Sequence, residues 1–241
     1  MLLIGLPLMV LACAGMVSAA TTQPGGKIRV LLVTGGHGFK AGPFFKLFDD
    51  NPEIAYTAVA EEKTASAYDR QDLLSYDAVL LYDFQRELTD AQKAKFLAMF
   101  DQGVGLIVLH HALLSYQNWP EYERIAGGKY LLDVEKNADG KVTPPSTYQG
   151  DVDIAMKVVP KDHPITAGLS DFVLHDEIYR GVRTGADINV LLTAEDRPQA
   201  WTRQEGKTRV VGIMVGHGPA HADANFQKLL AQSIRWAGKR S

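Results

Sequence analysis

Nine consecutive residues, Gly103–His111 (GVGLIVLHH), constrain this chain more than any others. Leu106–Leu109 offers no polar side chain to solvent on either side, which suits a strand buried on both faces of a sheet. The run then stops abruptly in two imidazoles. Ligands of open α/β sheets bind in the crevice beyond the carboxyl ends of the strands, so a strand delivering titratable side chains there nominates a site. Two other apolar runs end the same way: Ile28–Thr34 leads into Gly35-Gly36-His37, and Val210–Val215 leads into Gly216-His217-Gly218. Three strands are thus expected to carry histidine to one rim.

The segments between these runs fix the winding. A strand over Lys27–Thr34, a helix over Pro43–Asp50 and a strand over Ile54–Ala60 are followed by a weaker helical segment, Asp69–Leu74, and a strand over Asp77–Tyr82. Thr89 reads as an N-cap for a helix over Ala91–Gln102, which Gly103 ends. Strands alternating with short helical crossovers predict a three-layer α/β domain, a mostly parallel, flavodoxin-like sheet with helices on both faces. The second half is less regular. Trp119–Ala126 reads as a helix and the stretch to Pro145 as a long loop. Asp151–Val159 alternates like a half-exposed antiparallel strand near an edge, and Asp162–Ile165 opens a short turn of helix. Val173–Arg180, Asn189–Ala194 and a hairpin around Glu205-Gly206 add antiparallel strands, and Asn225–Trp236 closes the chain as an amphipathic helix. The domain is expected over residues 27–238.

Composition enters where it excludes partners. A formal net charge of -3 with mixed signs gives no basic stripe to neutralise a phosphate backbone, so nucleic acid is not an expected partner. Residues 1–20 (MLLIGLPLMVLACAGMVSAA) resemble a cleaved export signal ending in small residues, although no Lys or Arg precedes the apolar stretch. The expectation is a periplasmic or secreted protein with no membrane association beyond the leader. An uncleaved anchor, an initiation site placed too early, or a lipoprotein lipidated at Cys13 are the other readings. Cys13 is the single cysteine, so a mature domain would contain no disulfide, thiolate metal site or cysteine nucleophile. The sequence leaves open whether copies associate as a homo-oligomer.

Five short motifs, in their order, carry a resemblance. Gly35-Gly36-His37-Gly38-Phe39, Leu109-His110-His111-Ala112, His163-Pro164-Ile165, Asp176-Glu177-Ile178-Tyr179 and Val215-Gly216-His217-Gly218 together resemble the ThuA-like (trehalose utilisation) family. The likeness spans Lys27 to Trp236. It implies a class I glutamine amidotransferase-like fold and a role in the uptake or breakdown of disaccharides and related glycosides through 3-keto sugars. One departure is informative: glutamine amidotransferases place a cysteine in the sharp turn after the strand that here ends at Leu109, and this chain places His110 and His111 there. Thiolate attack on glutamine is thereby excluded.

The candidate catalytic residues are His37, His110, His111, Asp176, Glu177 and His217, with Gly36, Asp83, Tyr116 and Tyr179 assigned to substrate contact. Two consecutive extended residues point to opposite sides, so one of His110 and His111 is expected to face the crevice, His111 by preference, and the other to pack against a helix. A buried histidine satisfied by a backbone carbonyl is the competing reading for either. By the same alternation Asp176 and Glu177 do not both face the site. Histidines and carboxylates of this kind serve acid–base chemistry beside a keto group. They equally have the donor types for a divalent ion such as zinc, though no His-Glu-x-x-His spacing supports one. Trp119 and Tyr122, at helical spacing, read as packing residues, and His163 as part of a turn. The resulting expectation is an exported enzyme of carbohydrate catabolism acting on a small-molecule sugar. The alternative is a non-catalytic sugar-binding or accessory protein on an amidotransferase-like fold.

Overall fold

The computed structural model describes residues 26–61, 66–84, 87–136, 139–159 and 162–239. The export-signal expectation and Cys13 lie outside them. Among the described residues no helix is long and apolar enough to cross a membrane.

The first half alternates as its apolar spacing predicts: β1 (Ile28–Gly35), α1 (Ala41–Asp49), β2 (Ile54–Glu61), β3 (Ala78–Asp83), α2 (Asp90–Gln102), β4 (Gly105–Leu109) and α3 (Pro120–Ala126). After it come β5 (Thr147–Val158), β6 (Phe172–Arg180), β7 (Asn189–Ala194), β8 (Arg197–Glu205), β9 (Thr208–Ile213) and α4 (Ala224–Ala237). These strands form one sheet in the order β2-β1-β3-β4-β9-β8-β7-β5-β6. The first five in that order are mutually parallel. Their winding is the flavodoxin-like one, with β9 in the fifth place. The remaining four are antiparallel additions at one edge.

Alternation along the central strands explains the three layers. Val30 and Leu32 of β1, with Ile107 and Leu109 of β4, pack on one face against Phe44 and Phe48 of α1 and Phe226 and Ile234 of α4. Leu31, Val33, Leu106 and Val108 point the other way, into Phe96 and Met99 of α2 and Tyr122 and Ile125 of α3. Burying each such side chain contributes about 1.5–3 kcal/mol, which makes both faces of β4 core and leaves its end as the place where polar groups can collect.

Local chemistry sets the ends. Thr89 caps α2 with a full capping box: its hydroxyl accepts the Gln92 amide at 3.3 Å while Gln92 Oε1 accepts the Thr89 amide at 3.0 Å. Gly103 closes that helix in a left-handed conformation, φ 72°. Two expected helices are absent. In place of a helix over 69–74 there are two short 3-10 turns, Ser66–Asp69 and Leu73–Ser75; the segment has two apolar residues, of which Leu73 is buried and Leu74 exposed. Residues 163–168 form hydrogen-bonded turns in which the Ile165 amide donates to His163 Nδ1 at 3.1 Å, a local bond that competes with a helix. The stretch after α3 contains two-residue bridges, Gly128–Lys129 with Arg183–Thr184 and Glu135–Lys136 with Val142–Thr143, in place of a featureless loop.

Candidate functional site

The site is built where β1, β3, β4 and β9 end, with β6 crossing beside them. β4 stops at Leu109, and His110 takes a positive φ of 52°. A non-glycine residue held there costs on the order of 1–3 kcal/mol and persists only where its surroundings fix it. That turn breaks the alternation expected of consecutive residues, so both rings enter one cluster, with centroids 5.5 Å apart and planes at 81°.

His110, expected to pack against a helix if His111 faced the crevice, is the hub. Its side chain is fully buried. Nδ1 lies 2.7 Å from the carbonyl of Met214, and a carbonyl only accepts, so Nδ1 carries the proton. Nε2 then faces three groups: Tyr179 Oη at 3.0 Å, His217 Nδ1 at 3.2 Å and Glu177 Oε1 at 3.4 Å. The Tyr179 ring stacks on the imidazole at 4.6 Å. Burial holds the Tyr179 phenol above its ordinary pKa, so it keeps its proton and serves as a donor.

His111 sits beneath this hub. Its Nε2 donates to the carbonyl of Tyr82 at 3.1 Å, and burial, with the neighbouring imidazoles, drives its pKa down to about 2. The ring therefore stays neutral, and its buried Nδ1 accepts no hydrogen bond among the described residues. Its neighbours are the rings of Tyr82 at 4.2 Å and His37 at 4.7 Å. His37 stands exposed at the rim, 5.9 Å from the ring of His217. Gly36 places it there: with φ +71° it lets the turn after β1 lie on the backbone following β3, where a Cβ would come within 2.1 Å of the Phe84 carbonyl oxygen.

The two acidic neighbours divide their work by strand alternation. Glu177 points with Tyr179 at His110. Burial opposes its ionisation, but the hydrogen bond and charge of His110 prevail and hold its pKa below the ordinary value. Asp176 turns to the other side of β6, where Oδ2 accepts the amides of Gly216 at 2.6 Å and His217 at 3.2 Å. It positions the backbone that carries His217. Burial raises the Asp176 pKa, partly offset by those amides and by His110. The Gly216 carbonyl is held as well, by Tyr82 Oη at 3.1 Å and His221 Nε2 at 2.9 Å. Burial, followed by the charge of His110, lowers the pKa of the half-buried His217 and favours its neutral form.

Asp83 and Tyr116 lie elsewhere than expected. Both are buried, and Tyr116 Oη donates to Asp83 Oδ2 at 3.3 Å on the side packed against α2 and α3. Tyr82 and Asp83 end β3 on opposite faces, and it is Tyr82 that reaches the cluster. The one sequence signal for Tyr82 is its place at the end of the apolar run Ala78–Tyr82; nothing in a sequence announces the Met214 carbonyl that orients His110. His221 also joins the periphery of the cluster through Gly216. Trp119 and Tyr122 pack in the core, and the His163 ring rests against Trp236 at 5.5 Å. A cavity of about 450 Å³ adjoins Tyr179 and Met214, lined also by Arg180, Thr184, Arg197 and Gln199.

The arrangement holds an ionised carboxylate, a second imidazole and a protonated phenol within hydrogen-bonding reach of one nitrogen. Those are the parts of an acid–base relay. Residues 29–237 match the model of the ThuA family, described as trehalose utilisation. Among solved structures, a ThuA-like protein from Parabacteroides merdae superposes with a TM-score of 0.75 at 21% identity, covering 88% of this chain and 90% of that one. A second, from Bacteroides uniformis, gives 0.61 at 20% identity, over 90% and 94%. A β-galactosidase from Bacillus circulans sp. alkalophilus gives 0.56 at 9% identity, with 87% of this chain matching 31% of that one. At such identities the likeness establishes the fold alone. No curated protein matches the chain.

Proposed function

The chain belongs to the ThuA family of trehalose utilisation, and from that premise we propose that it is an exported enzyme of carbohydrate breakdown. It acts on a disaccharide or related glycoside, or on the 3-keto derivative, by imidazole and carboxylate acid–base chemistry. One observation carries the reading: Tyr179 Oη, His217 Nδ1 and Glu177 Oε1 converge within 3.4 Å of His110 Nε2.

A 3-keto sugar has an acidified C–H bond at the carbon beside its carbonyl. Removal of that proton by a base leaves electrons that form a double bond to the anomeric carbon and expel the glycosidic oxygen, which an acid protonates. Glu177 is ionised and is the base in this scheme; the Tyr179 phenol, which holds its proton, is the donor. His110 links them, and His217 and His37 relay protons toward the rim. The cavity beside Tyr179 falls in the range of roughly 300–1,000 Å³ that small-ligand sites occupy, and its Arg, Thr and Gln side chains suit hydroxyl groups.

The test is incubation of the purified protein with trehalose, 3-ketotrehalose and other glycosides, comparing wild type with Glu177→Gln and Tyr179→Phe. A proton-transfer role predicts turnover of at least one substrate and a loss of about 10²–10⁴-fold in the variants. Binding of sugar without turnover would replace the enzyme with a sugar-binding accessory protein.

A further inference from the structure

The nitrogen and oxygen atoms at the hub are spaced as ligands around an ion. His110 Nδ1 donates to the Met214 carbonyl at 2.7 Å, which makes Nε2 the nitrogen that faces the ligand position and fixes the ring's direction. Ligating histidines are oriented in this way by a backbone carbonyl on their second nitrogen. His217 Nδ1 is 3.2 Å and Glu177 Oε1 3.4 Å from that nitrogen, and the three ligand atoms all lie within 4.8 Å of one another. Around a tetrahedral zinc ion with bonds of about 2.0–2.1 Å, two ligand atoms stand about 3.3–3.4 Å apart. Two of the three edges therefore already have that length.

The donor set points the same way. Two imidazoles and one carboxylate, with a fourth position open, make a ligand set that suits zinc and its neighbours among the divalent transition metals and is too nitrogen-rich for calcium or magnesium. Burial of His110 and partial burial of the other two leave one open side. The members of the trio come from the turn after β4, from β6 and from the turn after β9, and they share no short sequence spacing.

We propose that His110, His217 and Glu177 bind one divalent transition-metal ion of the zinc class. The inference stands on ligand geometry, and with an ion bound Glu177 Oε1 and His110 Nε2 are ligands in place of the base and proton link of the sugar chemistry above, so the two readings compete for the same atoms. The test uses the full chain, stripped with chelator and titrated with Zn²⁺ by calorimetry and with Co²⁺ by visible absorption. The expected result is one ion per chain and the absorption bands of tetrahedral cobalt. Glu177→Gln and His217→Gln should each weaken binding by at least about 100-fold. His175→Ala, which removes an exposed imidazole bonded to Asp151 and Asp153, should bind as wild type does. Thermal melts check that the variants fold, and should His217→Gln fail, Glu177→Gln, at a partly exposed position, carries the test. Equal binding by wild type and Glu177→Gln, absence of binding by wild type, or loss only in His175→Ala would overturn the proposal. Zinc binding without sugar turnover leaves it standing and removes the proposed reaction; turnover without zinc binding does the reverse.

Discussion

Asp176 and Gly216 are joined side chain to backbone across the molecule: the Asp176 carboxylate accepts the Gly216 amide at 2.6 Å and, with the same oxygen, the His217 amide at 3.2 Å. This pair ties β6 to the turn after β9 and so sets the position of His217 relative to Glu177. Its second oxygen, Oδ1, is buried and has no hydrogen-bond partner among the described residues. Asp176→Asn in the corresponding orientation buries an amide NH₂ there with nothing to receive it, a cost of about 1–3 kcal/mol. The expected outcome, read by urea unfolding at neutral pH, is a lower midpoint with an unchanged slope.

Gly216 itself is the second sensitive point. Its φ is +127°, and a Cβ would lie 2.9 Å from Leu109 Cδ1 and 3.0 Å from Phe226 Cζ. Gly216→Ala is expected to destabilise by about 1–3 kcal/mol through strain and overpacking. For a chain of this length that lowers the thermal midpoint by about 2–4 °C per kcal/mol, which calorimetry would detect.

Thr89→Ala is the control on the opposite side of the argument. Loss of the capping box at α2 should cost about 1 kcal/mol of stability. Since Thr89 touches none of the cluster residues, turnover and ligand binding should be unchanged at temperatures where the variant is folded.

Acid stability follows from His221. Burial drives its pKa to about 4 in the folded protein, against the ordinary histidine value of 6.5. Below pH 6.5 the unfolded chain takes up a proton that the folded state refuses, so stability falls with falling pH, by up to about 1.4 kcal/mol per pH unit, until the folded pKa near 4 is reached. His111, His217 and His163 shift in the same direction, each through burial first, and add to the same slope. Urea unfolding at pH 7 and pH 5 should show the loss, and His221→Gln should reduce the pH slope by one proton. An unchanged slope in the variant would remove His221 from the account.

The legible part of this molecule is what periodicity and strand ends encode. Leu106–Leu109 is apolar on both sides, and that fixed β4 as a central strand; the Gly-His endings of Ile28–Gly35 and Thr208–Ile213 marked the edge at which polar groups gather. Thr89 and Gly103 bounded α2 through their capping chemistry. Less legible was anything decided by one backbone angle or by contacts between distant strands. The positive φ of His110 sends both imidazoles into the cluster, which a two-residue alternation forbids. Asp83 at the end of β3 and Tyr116 in the segment after β4 are expected at the rim from those places, but the pleat puts Asp83 on the face opposite Tyr82, where Tyr116 Oη donates to it. The partnership of Asp176 with Gly216 spans 40 positions and has no local signature.

The most direct measurement is the turnover of 3-ketotrehalose and the other keto-glycosides by wild type and by Glu177→Gln, both shown by thermal melts to be folded. The account predicts that wild type turns over at least one of them and that the variant falls by about 10²–10⁴-fold. Equal rates for the two proteins, or no turnover by wild type, would contradict it.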